Sequence, residues 1–289
     1  MGIGVEIVGL LIELRKSGYF HQPAAVMEIG AQQLSNSLLA ARDRVADLGK
    51  QFGIEEPFSL ASPQASHIVH GDLEHLDANA PFARDFWRWL GFDYGAIDID
   101  GSPGSIPLDL NYDSVPPQAR GKYDFVTNFG TTEHVANQLN AFEVIHDLTR
   151  HHGVMLHALP AQGMLNHGLV NYNFKFFWML ARSNGYRFIH ASFSHSRVPY
   201  NLPDDIVDFL NRTVPSEGDQ AREFRARDAG ILVVMQKVFD IAYVPPIDVP
   251  TGTKTEIEAL KKRYWTVFQP DAFERLQANE IDAAGRPIN

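Results

Sequence analysis

The sequence predicts an α/β protein with a mostly parallel sheet covered by helices on both faces. Three observations lead there. Apolar runs of strand length alternate with amphipathic runs of helix length along the chain. Three of the apolar runs break at a glycine or an acid: Ala25-Val-Met-Glu-Ile-Gly30, Tyr94-Gly-Ala-Ile-Asp-Ile-Asp-Gly101, and Tyr123-Asp-Phe-Val-Thr-Asn-Phe-Gly130 ahead of 131–135. A strand, a short polar break and a helix is how an open α/β sheet builds a ligand crevice at the carboxyl ends of its strands.

The elements follow in order. Residues 4–16 read as a helix and 25–29 as the first strand. Leu38, Leu39, Val45 and Leu48 sit at helical spacing within 35–52. Residues 82–90 form a short aromatic helix, 94–99 the second strand and 106–110 a short third. The fourth strand is 124–128, and the chain is expected to re-enter a helix at 131–135. A helix over 135–150 carries Leu139, Phe142, Val144, Ile145 and Leu148 mostly on one face. The fifth strand is 154–159. An aromatic helix over 173–184 is closed by Gly185, a C-terminal glycine cap. Residues 187–192 and 231–238 are the last strands. A Pro-rich stretch from Val244 leads into a charged helix over 254–264. The expected organisation is an N-terminal helix (1–23), an α/β domain (24–239) and a C-terminal appendage or oligomer contact (240–289).

Residues 53–93 are long for a simple crossover. They hold His67, His70 and His75, then Phe82, Phe86, Trp87 and Trp89. They read either as an inserted lid or cap or as aromatics packed on the sheet edge.

Composition sets bounds. A chain of 289 residues can bury about 75% of its unfolded surface and needs no staples. Zero cysteines exclude a disulfide scaffold and cysteine-ligated clusters, and fit a reducing, cytoplasmic setting. Glu6 and Glu13 interrupt the first apolar run, which also lacks a basic start, against a signal peptide. No run reaches the roughly 18 apolar residues of a membrane helix. A net charge of −10 argues against nucleic acid as a partner. Arg222, Arg225 and Arg227 read as a solvated helix face. His146, His151 and His152 match no standard ligand spacing, so no metal is expected.

An acid at one strand end, a glycine turn at another and a polar turn at a third can together surround a nucleoside. Asp98 and Asp100 end the second strand on opposite faces, so one of them does that work. Both equally suit a turn with Gly101. Gly30 lets the backbone pass close to a ligand.

In this order, with Glu133-His-Val135 and Gly153-Val-Met-Leu-His-Ala-Leu-Pro160, the motifs of residues 24–239 resemble class I S-adenosylmethionine-dependent methyltransferases. The resemblance implies a Rossmann-like, seven-stranded sheet and S-adenosylmethionine as cofactor. It implies Asp98 on the ribose with Ile99 beside it, and Glu28, Gly30, Ala31 and Gln32 at the methionine end. Asp109 and Leu110 would meet the adenine. Asn128, Phe129, Gly130 and Glu133 would line the methionine and the sulfur. Methyl transfer needs alignment and a base. His134, His157 and His167 are the candidates, with His167 favoured and His134 second. Asn166, Asn171 and Tyr172 are expected to contact a small-molecule oxygen or nitrogen acceptor. The chain departs from the family's Gly-x-Gly-x-Gly loop, having Gly30-Ala-Gln-Gln-Leu-Ser35 with one glycine. Two alternatives therefore stand beside methyl transfer: an enzyme that cyclises or cleaves the cofactor, and a non-catalytic binding or assembly protein. A nicotinamide oxidoreductase is disfavoured by the same loop.

Overall fold

The computed structural model of the chain describes residues 2–20, 24–35, 38, 41–59, 82–101, 104–164, 167–194, 229–271 and 274. Helix α1 (Val5–Lys16) buries Ile7, Val8, Leu10, Leu11, Ile12 and Leu14 and packs on α2 (Arg42–Gln51). Glu6 in its first turn and Arg15 and Lys16 in its last complement the helix dipole.

Seven strands follow: β1 (Ala24–Ile29), β2 (Phe92–Ile97), β3 (Ser105–Ile106), β4 (Tyr123–Phe129), β5 (Thr149–Pro160), β6 (Tyr186–Ser194) and β7 (Gly230–Lys237). Their order in one sheet is β3-β2-β1-β4-β5-β7-β6. β1 to β5 pair in parallel, and β7 runs antiparallel to both β5 and β6. This is the Rossmann-like, mostly parallel seven-stranded sheet expected from the sequence. The strand order reverses between β1 and β4, so the crevice of the sheet opens at their carboxyl ends, beside Gly30 and Gly130.

Alternation along the strands splits the core in two. Val26, Phe125 and Phe129 face α1, α2 and α3 (Ala83–Trp89). Met27, Val126 and Met155 face α4 (Gln138–Leu148) and α5 (Phe174–Asn184). Every residue of β7 is buried, because it is flanked by β5 and β6 and covered on both faces.

Helix ends show their chemistry. Asn137 caps α4 by accepting from the Asn140 N–H at 3.2 Å. Lys237, buried in β7, donates to the carbonyls of His146 and Thr149 (both 3.1 Å) and satisfies the end of α4. Asn173 caps α5, and Gly185 closes it with φ 65°. The segment after β7 is tied to the body. Asn184 exchanges two hydrogen bonds with Val244, and the Ile241 carbonyl meets His146 Nε2 at 2.8 Å. Helices α6 (Glu258–Arg263) and α7 (Trp265–Phe268) follow in the tail.

Several expectations are corrected. After β4 the chain does not enter an α-helix at 131–135. It makes a 3-10 turn, Thr132–His134, and α4 starts only at Gln138. The cause is local: the Asn128 side chain bonds both the N–H and the hydroxyl of Thr132 and pins the turn (3.3 and 2.8 Å). Glu133 and His134 therefore do not sit at an α-helix N-terminus. Leu139 lies outside the apolar face of α4, at 53% exposure. The third strand is two residues long rather than 106–110, because Asp109 closes an Asx turn onto Asn111. Of the two readings of 53–93, packing on the sheet holds for Phe86 and Trp87 of α3, which are fully buried, while Trp89 is partly buried. Residues 60–81 with His67, His70 and His75, and likewise Arg222, Arg225 and Arg227, lie outside the described residues. Among the described residues no helix is long and apolar enough to cross a membrane.

Candidate functional site

The loop after β1 carries the first part of the site. Gly30 takes φ 78°, and an added Cβ would stand 2.3 Å from Thr131 Oγ1. Glycine is required there by both conformation and space. Thr131 in turn donates to the Ile29 carbonyl at 2.7 Å, which ties the ends of β1 and β4 together across the switch point.

The loop's amides are spent internally. Gly30 N–H donates to Ile97 O (2.7 Å), Ala31 N–H to Asp98 Oδ2 (2.8 Å) and Gln32 N–H to Glu28 Oε2 (3.1 Å). The Gln32 side chain folds back onto Gly30 O and Thr131 Oγ1 rather than outward. A glycine-rich loop leaves such donors for its ligand; this one uses them to hold its shape.

Glu28 is no surface acid. It sits on a central strand, fully buried, and accepts from Trp87 Nε1 (2.8 Å), the Tyr94 hydroxyl (2.8 Å) and Gln32 N–H. Burial outweighs these three donors and pushes its carboxyl up to about 7. It supports the loop from beneath. Asp98 stands at the end of β2, partly buried, with one oxygen on Ala31 N–H and the other 3.4 Å from Asp100 N–H. Burial raises its pKa. Ile99 beside it is 72% exposed.

Asp109 accepts from the backbone and side chain of Asn111 (2.8 and 3.2 Å). Asn111 is locked to the cap residue Asn137. Leu110 is buried and turns its carbonyl to Asn140.

The second part of the site follows β4. Glu133 is fully buried, yet among the described residues no hydrogen-bond donor reaches either carboxylate oxygen. His167 Nε2 lies 3.5 Å and His134 Nε2 3.9 Å from its Oε1. The 167–170 loop is anchored over this carboxylate. Leu169 and Val170 N–H groups donate to the Glu133 carbonyl (2.8 and 3.1 Å). Gly168 lies so close that an added Cβ would meet Glu133 Cγ at 2.8 Å. The glycine after His167 was the signal in the sequence for this close approach, and pattern reading passed over it.

Other expected site residues are placed elsewhere. Asn128 is fully buried, with its amide on Thr132 and His157, and Phe129 is core against α1. Neither side chain lines the crevice; Gly130, with φ 80°, makes the turn at this strand end. Tyr172 is buried, with its hydroxyl on Thr132 Oγ1 (2.9 Å) and Gln138 Oε1, so it braces the 3-10 turn rather than an acceptor. Asn171 is exposed, bonded weakly to Met164 O at 3.4 Å. Asn166 lies outside the described residues. His157 is fully buried, and burial alone drops its pKa to about 3, too low for a base at neutral pH. His146 is a structural group between Tyr186 and Ile241.

The adenosyl group implied by the sequence finds a partial fit. Asp98 at the β2 end and the exposed Ile99 suit a ribose and an adenine face. The loop amides suit an amino-acid end less, since they are already bonded. No protein-family model matches the chain, and no curated protein matches it. Among solved structures it is similar to the 1,6-didemethyltoxoflavin-N1-methyltransferase of Burkholderia thailandensis, at 9% identity over 81% of this chain and 78% of that one, with a TM-score of 0.40. It is similar too to a SAM-dependent methyltransferase of Archaeoglobus fulgidus, at 10% identity over 81% and 95%, with a TM-score of 0.36.

Proposed function

We propose that the protein is an S-adenosylmethionine-dependent methyltransferase acting on an oxygen or nitrogen of a small molecule. The observation that carries the reading is the pairing of two features around one switch point. Asp98 closes β2 against the Gly30 turn, and the Glu133–His134–His167 cluster stands just beyond Thr131, which clasps that turn. When bound, the cofactor supplies an electrophilic methyl group. The chain's part is to hold the acceptor in line and to take its proton. His167, with its imidazole 38% exposed, is the group we assign to that proton. Glu133 Oε1 lies 3.5 Å from that imidazole. The acidic chain suits a small uncharged or cationic acceptor better than a polyanion.

A non-catalytic binding protein is favoured by one observation, the internal bonding of the Gly30, Ala31 and Gln32 amides. Calorimetric titration with S-adenosylmethionine and S-adenosylhomocysteine decides between the two. Binding of both, followed by methyl transfer in an acceptor screen, is expected. Release of methylthioadenosine without acceptor would instead indicate cleavage of the cofactor, and absence of binding would leave the non-catalytic reading.

A further inference from the structure

The geometry points to a transition-metal site at Glu133, His134 and His167, with zinc the ion it suits best. Three facts carry it. The ligating atoms of the three side chains lie within 4.8 Å of one another. The Glu133 carboxylate is fully buried, with neither oxygen hydrogen-bonded among the described residues. A carboxylate in that state is stabilised when a cation supplies the missing partner. The loop that brings His167 over Glu133 is fixed by two backbone bonds to the Glu133 carbonyl and by the absence of a side chain at Gly168.

The distances fit one ion. Zinc bonds nitrogen and oxygen at about 2.0–2.1 Å, so neighbouring ligands in a tetrahedron stand on the order of 3.3 Å apart. Glu133 Oε1 to His167 Nε2 is 3.5 Å and to His134 Nε2 is 3.9 Å. The two imidazoles are 38% and 49% exposed, so small rotations bring them onto the ion. Two imidazoles and one carboxylate select a transition dication over magnesium or calcium, which prefer all-oxygen shells. Three protein ligands leave a fourth position open, the pattern of catalytic rather than structural zinc. The open side is the solvent side, since the carboxylate is buried and the imidazoles are not.

The metal site stands on its own geometry. Its consequence for chemistry rests on the methyl-transfer reading: with an ion bound, His167 Nε2 would be a ligand, and the ion would acidify an acceptor at the open position, whose proton would pass to solvent water. Without the ion, His167 is the base.

The test uses the full chain, stripped with a chelator and then dialysed against Zn²⁺, with metal measured by elemental analysis and affinity by calorimetry. One ion per chain is expected, with a rise in melting temperature on loading and the visible spectrum of a four-coordinate site when Co²⁺ replaces it. Glu133→Gln and His167→Ala should each abolish stoichiometric uptake. His167→Ala changes an exposed loop residue, so it remains informative where the buried Glu133→Gln variant fails to fold. No uptake by the native chain, or uptake undiminished in His167→Ala and in folded Glu133→Gln, overturns the proposal. Binding of S-adenosylhomocysteine to the stripped chain, titrated in parallel, separates failure of the metal site from failure of the methyltransferase reading.

Discussion

At Gly30 one missing side chain sets the shape of the whole crevice end. Its positive φ and the 2.3 Å approach to Thr131 Oγ1 act together. Gly30→Ala is expected to cost at least about 1–3 kcal/mol from backbone strain alone, read as a fall in the chemical denaturation midpoint. An unchanged midpoint would show that the turn escapes the left-handed region at no cost. Asp98 serves two partners, the loop and the proposed ribose. Asp98→Asn keeps an oxygen for the Ala31 N–H but loses the charge that accepts ribose hydroxyls. Affinity for S-adenosylhomocysteine should fall by about 1.5–3 kcal/mol, as for a hydrogen bond to a charged group. Asp98→Ala should fall at least as far and also loosen the loop. Equal affinity in all three proteins removes Asp98 from the site.

At the scale of elements, the helix caps decide where α4 and α5 begin, and one of them reaches the site. Asn137 caps α4 and also donates from its side chain to Asn111 O at 2.8 Å. Asn173 caps α5 only. Asn173→Ala should cost about 1 kcal/mol. Asn137→Ala should cost more, because it also removes the side-chain bond to Asn111 O beside the Asp109 turn. Urea unfolding of the two variants checks the order, and equal losses would show that the Asn111 contact adds nothing. Helix α3 illustrates how an element changes its meaning in context. Its aromatic run suits a lid, but Trp87 Nε1 bonds Glu28 beneath the Gly30 loop, and Phe86 packs on Phe58 and Trp87.

Across the whole molecule, buried titratable groups set the response to pH. His146 and His157 are held neutral, their pKa values lowered from 6.5 to about 4 and about 3, with burial the largest cause. Below pH 6.5 the unfolded chain takes up protons that the folded chain refuses, so their contribution is full above 6.5 and is lost as pH falls. Glu28 has the opposite sign. Its carboxyl is raised from 4.5 to about 7, so the folded chain holds a proton that the unfolded chain has lost, and stability falls as pH rises through that window. Between 4.5 and 6.5 two histidines oppose one glutamate, and the melting temperature should rise with pH there. His157→Gln should flatten that rise. A native profile that is flat or falling from pH 4.5 to 6.5 would contradict the buried, neutral state of these histidines.

The sequence by itself determined the longer strands, their order along the chain and the acid and glycine at two strand ends, because burial and turn chemistry act over a few neighbouring residues. Ala25 to Gly30, Tyr94 to Asp98 and Asn173 to Gly185 were legible for that reason. Pattern reading missed the 3-10 turn, since its cause is the Asn128 amide reaching Thr132 and the Tyr172 hydroxyl arriving from another loop. It placed Glu133 at a helix start and Tyr172 on an acceptor, because periodicity carries no information on which polar groups will find each other. Only the tertiary structure decided that Glu28 is buried under the loop, that Gln32 turns inward, and that Glu133, His134 and His167 converge. Those outcomes depend on contacts between segments far apart in sequence. There the cost of burying a polar group, set by which partner arrives, outweighs any local preference.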